Sequence, residues 1–460
     1  MIYQYIIYID KIYILYSPLI LYKEEENKMN KKQSLIQKIK KEELIPNPYE
    51  PGEFVKPKND PSYSKFKHLS PNNWVFHKQI VEKVLEGEYM SILPYSAEFV
   101  TTVNCSNRCI FPCSFIEQRE IEGIQKENQL YNPKVHMQSL NFAKDLMDKT
   151  LDGGVKGIIF TGGGEPFLFD GLEEIMQYTT SKGADSVLYT NGNVAEERRV
   201  KKVIESEPLM VRVSLNAGTE DIYNKIHRPF EPDGSLQRAL NTIEILAQGS
   251  KQNPNMSTGV GVVINKINRY NLKESAKRIA EISDKVGGGI TYAAYRPAYN
   301  HCGKKQLSPE FLDEVHEEVE LKVRPILENA GVSLSNITCR YEALKQERPY
   351  DVCRASGLYL ELSPYGLAHT CSDRNCHAAH VIGDLKENSL EEIWTGEKRA
   401  GRFEYINNSK CDVCAPGCKP HETNIQFEKI EKLRENGEFY KVELWIKEQL
   451  KMPVPKMVNF

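Results

Sequence analysis

Between residues 96 and 332 the chain alternates two hydrophobic rhythms. Short apolar runs recur at 96–103, 157–161, 186–190, 210–215, 259–264 and 289–294. Between them apolar residues return every three or four positions, over 137–151, 172–180, 195–207, 236–248 and 272–286, and again over 309–329. The first rhythm predicts strands buried on both faces, and the second predicts amphipathic helices. Six strand–helix units in succession predict parallel strands with right-handed crossovers, in a barrel or in an open doubly wound sheet. Chemistry placed at the strand ends suits a partial barrel, because ligands of such folds gather beyond the carboxyl ends of the strands.

The flanks carry other patterns. Residues 1–22 are rich in Ile and Tyr but are broken by Asp10 and Lys11, with neither a basic leader nor a small-residue cleavage site. A signal peptide is therefore not expected, and the uninterrupted apolar part falls short of the roughly 20 residues that span a bilayer. Met29 reads as the natural start, which makes 1–28 a leader or an untranslated-start segment; a peripheral membrane anchor is the alternative. Residues 29–95 read as an N-terminal arm, charged and Pro-rich, with a short amphipathic helix over 74–86. The barrel unit takes 96–332, a small cysteine-rich α+β unit 333–425, and a helix with a Pro-rich tail 426–460.

Composition narrows the class. Lys and Arg number 60 against 63 acids, so the net charge of −3 leaves no footprint for nucleic acid. A mean hydropathy of −0.50 suits a water-soluble globular chain with no membrane partner. The 11 cysteines are odd in number and gather in two regions. That distribution points to metal binding in a reducing, cytoplasmic compartment and away from a secreted disulfide framework.

The first group is Cys105, Cys109 and Cys113, directly after the first strand. Three thiols on one short loop can serve one metal centre and leave a coordination position open, whereas structural zinc closes its shell with four ligands. About fifty residues on, the next strand ends in Thr161-Gly162-Gly163-Gly164-Glu165-Pro166. Glycines there allow close backbone approach, and the carboxylate suits an ammonium group. Polar turns follow the next three strands: Thr190-Asn191-Gly192-Asn193, Ser214-Leu215-Asn216 with His227-Arg228 beyond, and Asn265-Lys266-Ile267-Asn268. Any one of these reads equally as a turn or a helix cap.

The cysteine triplet followed by the Gly-Gly-Glu-Pro turn resembles the radical S-adenosylmethionine (SAM) enzymes, whose fold is a six-stranded partial barrel, (β/α)6 and TIM-like. The resemblance implies a 4Fe-4S cluster on Cys105, Cys109 and Cys113, with SAM chelating the open iron. It implies that Gly162, Gly163, Gly164 and Glu165 take the SAM amino group, and that Thr190, Asn191, Ser214 and Asn216 line the ribose and carboxylate. Arg228 matches the arginine that pairs with that carboxylate, while His227 has no place in the pattern and reads as structural. The triplet departs from the usual spacing, having three residues in each gap, so that either Phe111 or Pro112 lies against the adenine. The same spacing is a feature of the radical diol dehydratases of aminoglycoside biosynthesis.

The second group comprises Cys353, Cys371, Cys411, Cys414 and Cys418. The alternation of 358–366 with Pro364-Tyr365-Gly366 at its turn predicts a β-hairpin with a thiol on each flank. A helix over 389–405 is expected next, with Ser389 as N-cap and Glu392 completing a capping box. This layout resembles the SPASM or twitch domains that follow many radical SAM barrels. The shorter twitch form implies one auxiliary 4Fe-4S cluster on Cys353, Cys371, Cys411 and Cys414, with Cys376 and Cys418 as substitutes. Zinc is the alternative on ligand type alone, and Cys302 and Cys339 read as plain thiols.

The family chemistry is reductive cleavage of SAM to a 5′-deoxyadenosyl radical, with an electron donor such as flavodoxin or ferredoxin, followed by hydrogen abstraction. The expected substrate is a small polar molecule, most simply a carbohydrate or aminosugar, in a dehydration, oxidation or epimerisation of lyase or oxidoreductase type. The alternative is maturation of a ribosomally made peptide. Against it, 29–95 lacks the alternation of a winged-helix peptide clasp. No catalytic acid or base is identified; His369 is a candidate only by its place in the hairpin.

Overall fold

The computed structural model describes residues 8–9, 12–13, 73–110, 139–298, 307–336, 338–371, 380–408, 414 and 417–450. The six expected strands are present as β1 (Ser96–Val100), β2 (Gly157–Thr161), β3 (Asp185–Thr190), β4 (Met210–Ser214), β5 (Ser257–Ile264) and β6 (Ile290–Pro297). Four more join them: β7 (Ser333–Asn336), β8 (Tyr359–Leu362), β9 (Leu367–His369) and β10 (Val381–Asp384). All ten form one sheet in the order β10-β9-β8-β1-β2-β3-β4-β5-β6-β7. From β8 to β7 every pairing is parallel, and β9 and β10 add antiparallel at one edge.

The cysteine-rich region thus shares its sheet with the barrel. Its hairpin strand β8 pairs with β1, Tyr359 opposite Ser96 and Glu361 opposite Glu98. The expected hairpin forms, and its first strand extends the parallel array.

The crossovers are α2 (Leu140–Asp152), α3 (Leu172–Ser181), α4 (Glu197–Glu205), α5 (Glu220–His227), α6 (Ser235–Gln252) and α7 (Leu272–Val286), with α1 (Lys78–Glu86) preceding β1. The stretch expected as one helix over 309–329 is α8 (Pro309–Glu318), a π-turn (Val319–Val323) and α9 (Arg324–Asn329). The π-turn lets Pro325, which has no N–H to donate, enter the first turn of α9. Beyond α10 (Thr338–Lys345), the expected 389–405 helix is divided by Gly396 into α11 (Leu390–Thr395) and α12 (Glu397–Asn408). Ser389 and Glu392 form the capping box as expected. The C-terminal helix is likewise two, α13 (His421–Glu435) and α14 (Tyr440–Gln449), separated at Gly437 with φ +71°.

Strand alternation sorts the side chains by face. Phe99, Ile158, Phe160, Leu188, Val211, Val213, Val260 and Val262 pack on the crossover helices. On the other face Ile159, Val187, Met210, Tyr292 and Ala294 pack with Trp74, Val84, Phe427 and Trp445 from α1, α13, α14 and the 3-10 turn before α1. Trp74 lies 5.2 Å from the Phe427 ring and donates its indole N–H to Gln426 Oε1 at 3.0 Å. The segments 73–86 and 421–450 therefore cover this face toward the amino-terminal ends of the strands, which leaves the carboxyl end for chemistry.

Candidate functional site

The loop after β1 is pinned by three neighbours. Its Arg108 N–H donates to the carbonyls of His227 and Arg228 at 2.9 and 3.1 Å, and Ile110 N–H donates to Ile226 at 2.9 Å. Phe230 N–H returns to Ser106 at 3.0 Å, so the end of α5 runs beside the cysteine loop. Helix α5 was not foreseen from the sequence, although Thr219 before Glu220 and Asp221, four residues ahead of Tyr223, carried an N-terminal signal.

The second neighbour is the glycine turn after β2. A Cβ on Gly164 would lie 2.0 Å from the Asn104 carbonyl oxygen and 2.7 Å from that of Thr102. Gly162 is close as well, its Cβ position falling 3.2 Å from Val100 and 3.3 Å from the Thr102 carbonyl. The glycines thus admit the backbone of the cysteine loop itself, and Glu165 N–H completes the join to Asn104 at 2.7 Å. Gly163 is buried between them.

The Glu165 carboxylate turns inward. Oε1 accepts from the Thr190 hydroxyl at 2.5 Å and from Phe167 N–H at 3.2 Å, and Oε2 accepts from Asn191 N–H at 2.7 Å. Burial pushes its pKa up to about 7, against the pull of those hydrogen bonds. The third neighbour follows: Asn191 donates through Nδ2 to Ser106 Oγ at 3.1 Å and to Cys105 Sγ at 3.7 Å, and Asn193 Nδ2 donates to Asn107 Oδ1 at 3.3 Å.

The structure therefore brings Cys105, Cys109, Gly162, Gly163, Gly164, Glu165, Thr190 and Asn191 to one end of the sheet. Asn216 joins them at φ +54°, with Oδ1 accepting from Val263 N–H at 2.7 Å. Ser214 ends β4 in register with Gly261. Arg228 has its side chain exposed and caps α5 at φ +43°. Cys113 and Phe111 lie outside the described residues.

His227 also belongs here: it is fully buried, its Nδ1 is 3.5 Å from Cys109 Sγ, and burial lowers its pKa to about 4. A soft thiol set at a strand end, with an amide donor aimed at Cys105 and an imidazole nitrogen beside Cys109, fits a thiolate-held cluster better than a hard cation.

In the second group Cys353 and Cys414 pack in one small apolar cluster with Tyr350 and Ile406. Asn424 Nδ2 donates to Cys353 Sγ at 3.3 Å, and burial raises the pKa of that thiol. Cys371 follows β9, half-buried, and Cys418 is buried. Cys411 and Cys376 lie outside the described residues.

Residues 99–279 match the Radical SAM superfamily, and residues 353–419 match SPASM, an iron–sulfur cluster-binding domain. The chain carries a radical SAM domain followed by a SPASM domain. The radical SAM domain implies a 4Fe-4S cluster and SAM, and the SPASM domain implies auxiliary iron–sulfur clusters. Fe-coproporphyrin III synthase of Methanosarcina barkeri is 25% identical over 321 residues, covering 64% of this chain and 73% of that protein. Streptococcus suis SuiB bound to S-adenosylmethionine shares the fold with a TM-score of 0.53 at 15% identity, over 73% of this chain and 75% of SuiB. SuiB bound to its precursor peptide SuiA aligns over 84% and 81% of the two chains, with a TM-score of 0.52 at 15% identity. Among the described residues no helix is long and apolar enough to cross a membrane.

Proposed function

We propose that this radical SAM enzyme acts on a small polar substrate held inside the partial barrel, with Cys105, Cys109 and Cys113 carrying the cluster that serves SAM. The observation that carries the substrate class is the charge lining the inner face of the strands. Glu98 of β1, Arg212 of β4, Arg296 of β6 and Glu361 of β8 alternate with the core residues and so share the face opposite the crossover helices. Lys419, next to Cys418, reaches in from the SPASM domain to pair with Glu98. Burial alone would push the Lys419 pKa down, yet Glu98 and Glu361 hold it up. Arg212 lies 3.7 Å over the Tyr189 ring. An apolar substrate would strand these groups, whereas hydroxyls, amines or carboxylates can exchange with them.

Held by Cys105, Cys109, Cys113 and the Gly163–Glu165 turn, the cluster and SAM would supply one-electron, hydrogen-abstracting chemistry. The chain's own part is to position and to exclude water: Glu165, Thr190 and Asn191 fix the turn beside the cysteine loop, and the inner charges orient the substrate. Dehydration or oxidation of an aminosugar suits such a lining. The identity with Fe-coproporphyrin III synthase supports a second reading, in which the cations receive the carboxylates of a tetrapyrrole.

Iron content and SAM cleavage test the proposal. Anaerobically reconstituted protein should hold about eight irons, falling to about four with loss of 5′-deoxyadenosine formation in the triple variant Cys105→Ala, Cys109→Ala, Cys113→Ala. Zinc without iron in both proteins would refute it. Substrate-dependent 5′-deoxyadenosine formation with aminocyclitols, iron porphyrins or a precursor peptide then separates the substrate classes.

A further inference from the structure

His227 ends α5 with its ring wholly buried at the cysteine loop. Around Nδ1 stand Cys109 Sγ at 3.5 Å and Asn107 Nδ2 at 3.4 Å. Around Nε2 stand the Leu215 carbonyl and Asn216 Nδ2, both at 3.3 Å. Each ring nitrogen thus faces one amide donor and one atom able to accept. The amides are themselves oriented. Asn216 Oδ1 is taken by Val263 N–H at 2.7 Å, which leaves its Nδ2 for the ring. Asn107 Oδ1 is taken by Asn193 Nδ2 at 3.3 Å, and Asn193 Oδ1 in turn by Arg238 Nε at 3.0 Å.

Both neutral tautomers are therefore accommodated. In one, Nε2–H donates to Leu215 and Nδ1 accepts from Asn107. In the other, Nδ1–H donates to Cys109 and Nε2 accepts from Asn216. A sulfur bonded to iron carries no hydrogen and can only accept, which selects the second form. Tyr223 stacks on the imidazole with centroids 4.2 Å apart at 28°, so the ring plane is fixed against the sulfur.

We propose that His227 is a positioning residue for the cluster, donating Nδ1–H to the Cys109 sulfur, orienting that ligand and raising the cluster's reduction potential. A hydrogen bond to a ligating sulfur draws charge from the cluster and favours its reduced form. The inference rests on the radical SAM reading of the first cysteine group. It assigns to His227 a role that the family pattern does not.

The test is a redox titration followed by electron paramagnetic resonance on the reconstituted full chain. The first cluster is recognised by the change in its signal when SAM is added. His227→Leu should lower the reduced-to-oxidised ratio at a fixed potential about tenfold, which for one electron is about 59 mV. His227→Asn, whose amide nitrogen reaches the place of Nδ1, should keep the wild-type potential. His227→Gln, whose amide lies farther out, should behave as the leucine variant does. A wild-type potential in an iron-replete His227→Leu protein would overturn the inference. If the leucine variant does not fold, an asparagine variant no closer to wild type than the glutamine variant overturns it equally. Wild-type protein without iron at the triplet would instead overturn the functional reading beneath it.

Discussion

The two cysteine groups are held in opposite ways. Cys105 and Cys109 lie on one loop whose backbone is hydrogen-bonded to the end of α5 and to the Gly164–Glu165 turn. Cys353, Cys371 and Cys414 arrive from separate segments: before β8, after β9 and after α12. The first cysteines are local in sequence and braced at the carboxyl end of an interior strand paired on both sides, so the loop's geometry does not depend on a bound cluster. The second exists only when distant segments have folded together, so ligands and fold stabilise one another. The joint between the two is β8 on β1, reinforced by Lys419 on Glu98.

The largest expected effect strikes the local site. With Gly164→Ala, a Cβ 2.0 Å from the Asn104 oxygen forces the turn and the cysteine loop apart. Misplacement by about an ångström costs on the order of 100-fold in rate. Formation of 5′-deoxyadenosine should fall by about that factor while the iron bound by the SPASM domain stays constant. An alanine variant with the wild-type rate would break the claim that this contact sets the loop.

The next effect falls on the joint. Lys419 and Glu98 keep only 11% and 15% of their side-chain surface exposed, and Lys419→Met leaves the Glu98 carboxylate facing an apolar thioether chain. Breaking a fully buried ion pair from one side destabilises by about 3–5 kcal/mol, and this nearly buried pair should show about 3 kcal/mol, the lower end of that range. Urea unfolding should show that loss, and the double variant Glu98→Gln, Lys419→Met should recover most of it. A double variant no more stable than the single one would show that the pair does not join the regions.

The same contrast explains what could be read in advance. The triplet, the Gly-Gly-Glu turn and Thr190-Asn191 were legible because each follows a strand, and parallel strands bring their carboxyl ends together. The glycines read as room for a ligand, yet the structure gives that room at Gly164 to Asn104, a contact between segments sixty residues apart that no local pattern announces. His227 read as structural because its partners Asn107, Cys109 and Asn216 converge only through α5. Strand β8 was legible as a hairpin strand but not as a neighbour of β1, since its four residues Tyr359–Leu362 are apolar enough for either position.

The smallest expected effect tests whether acid loosens the second region. His421 opens α13 just after Cys418, with Nδ1 2.9 Å from the Tyr350 hydroxyl. Burial lowers its pKa from 6.5 to about 4, helped by Arg348 and Arg340. The unfolded chain takes up this proton as pH falls through 6.5, whereas the folded chain resists until about 4. The stabilisation is therefore full above 6.5 and is lost progressively below it. At pH 5 the loss is about 2 kcal/mol, from roughly 1.5 units at about 1.36 kcal/mol each. His421→Asn keeps a polar partner for Tyr350 and cannot titrate, so its urea midpoint should fall less than the wild-type midpoint between pH 7 and pH 5. Equal falls in the two proteins would place the acid sensitivity elsewhere and remove His421 from the account of how the second region is held.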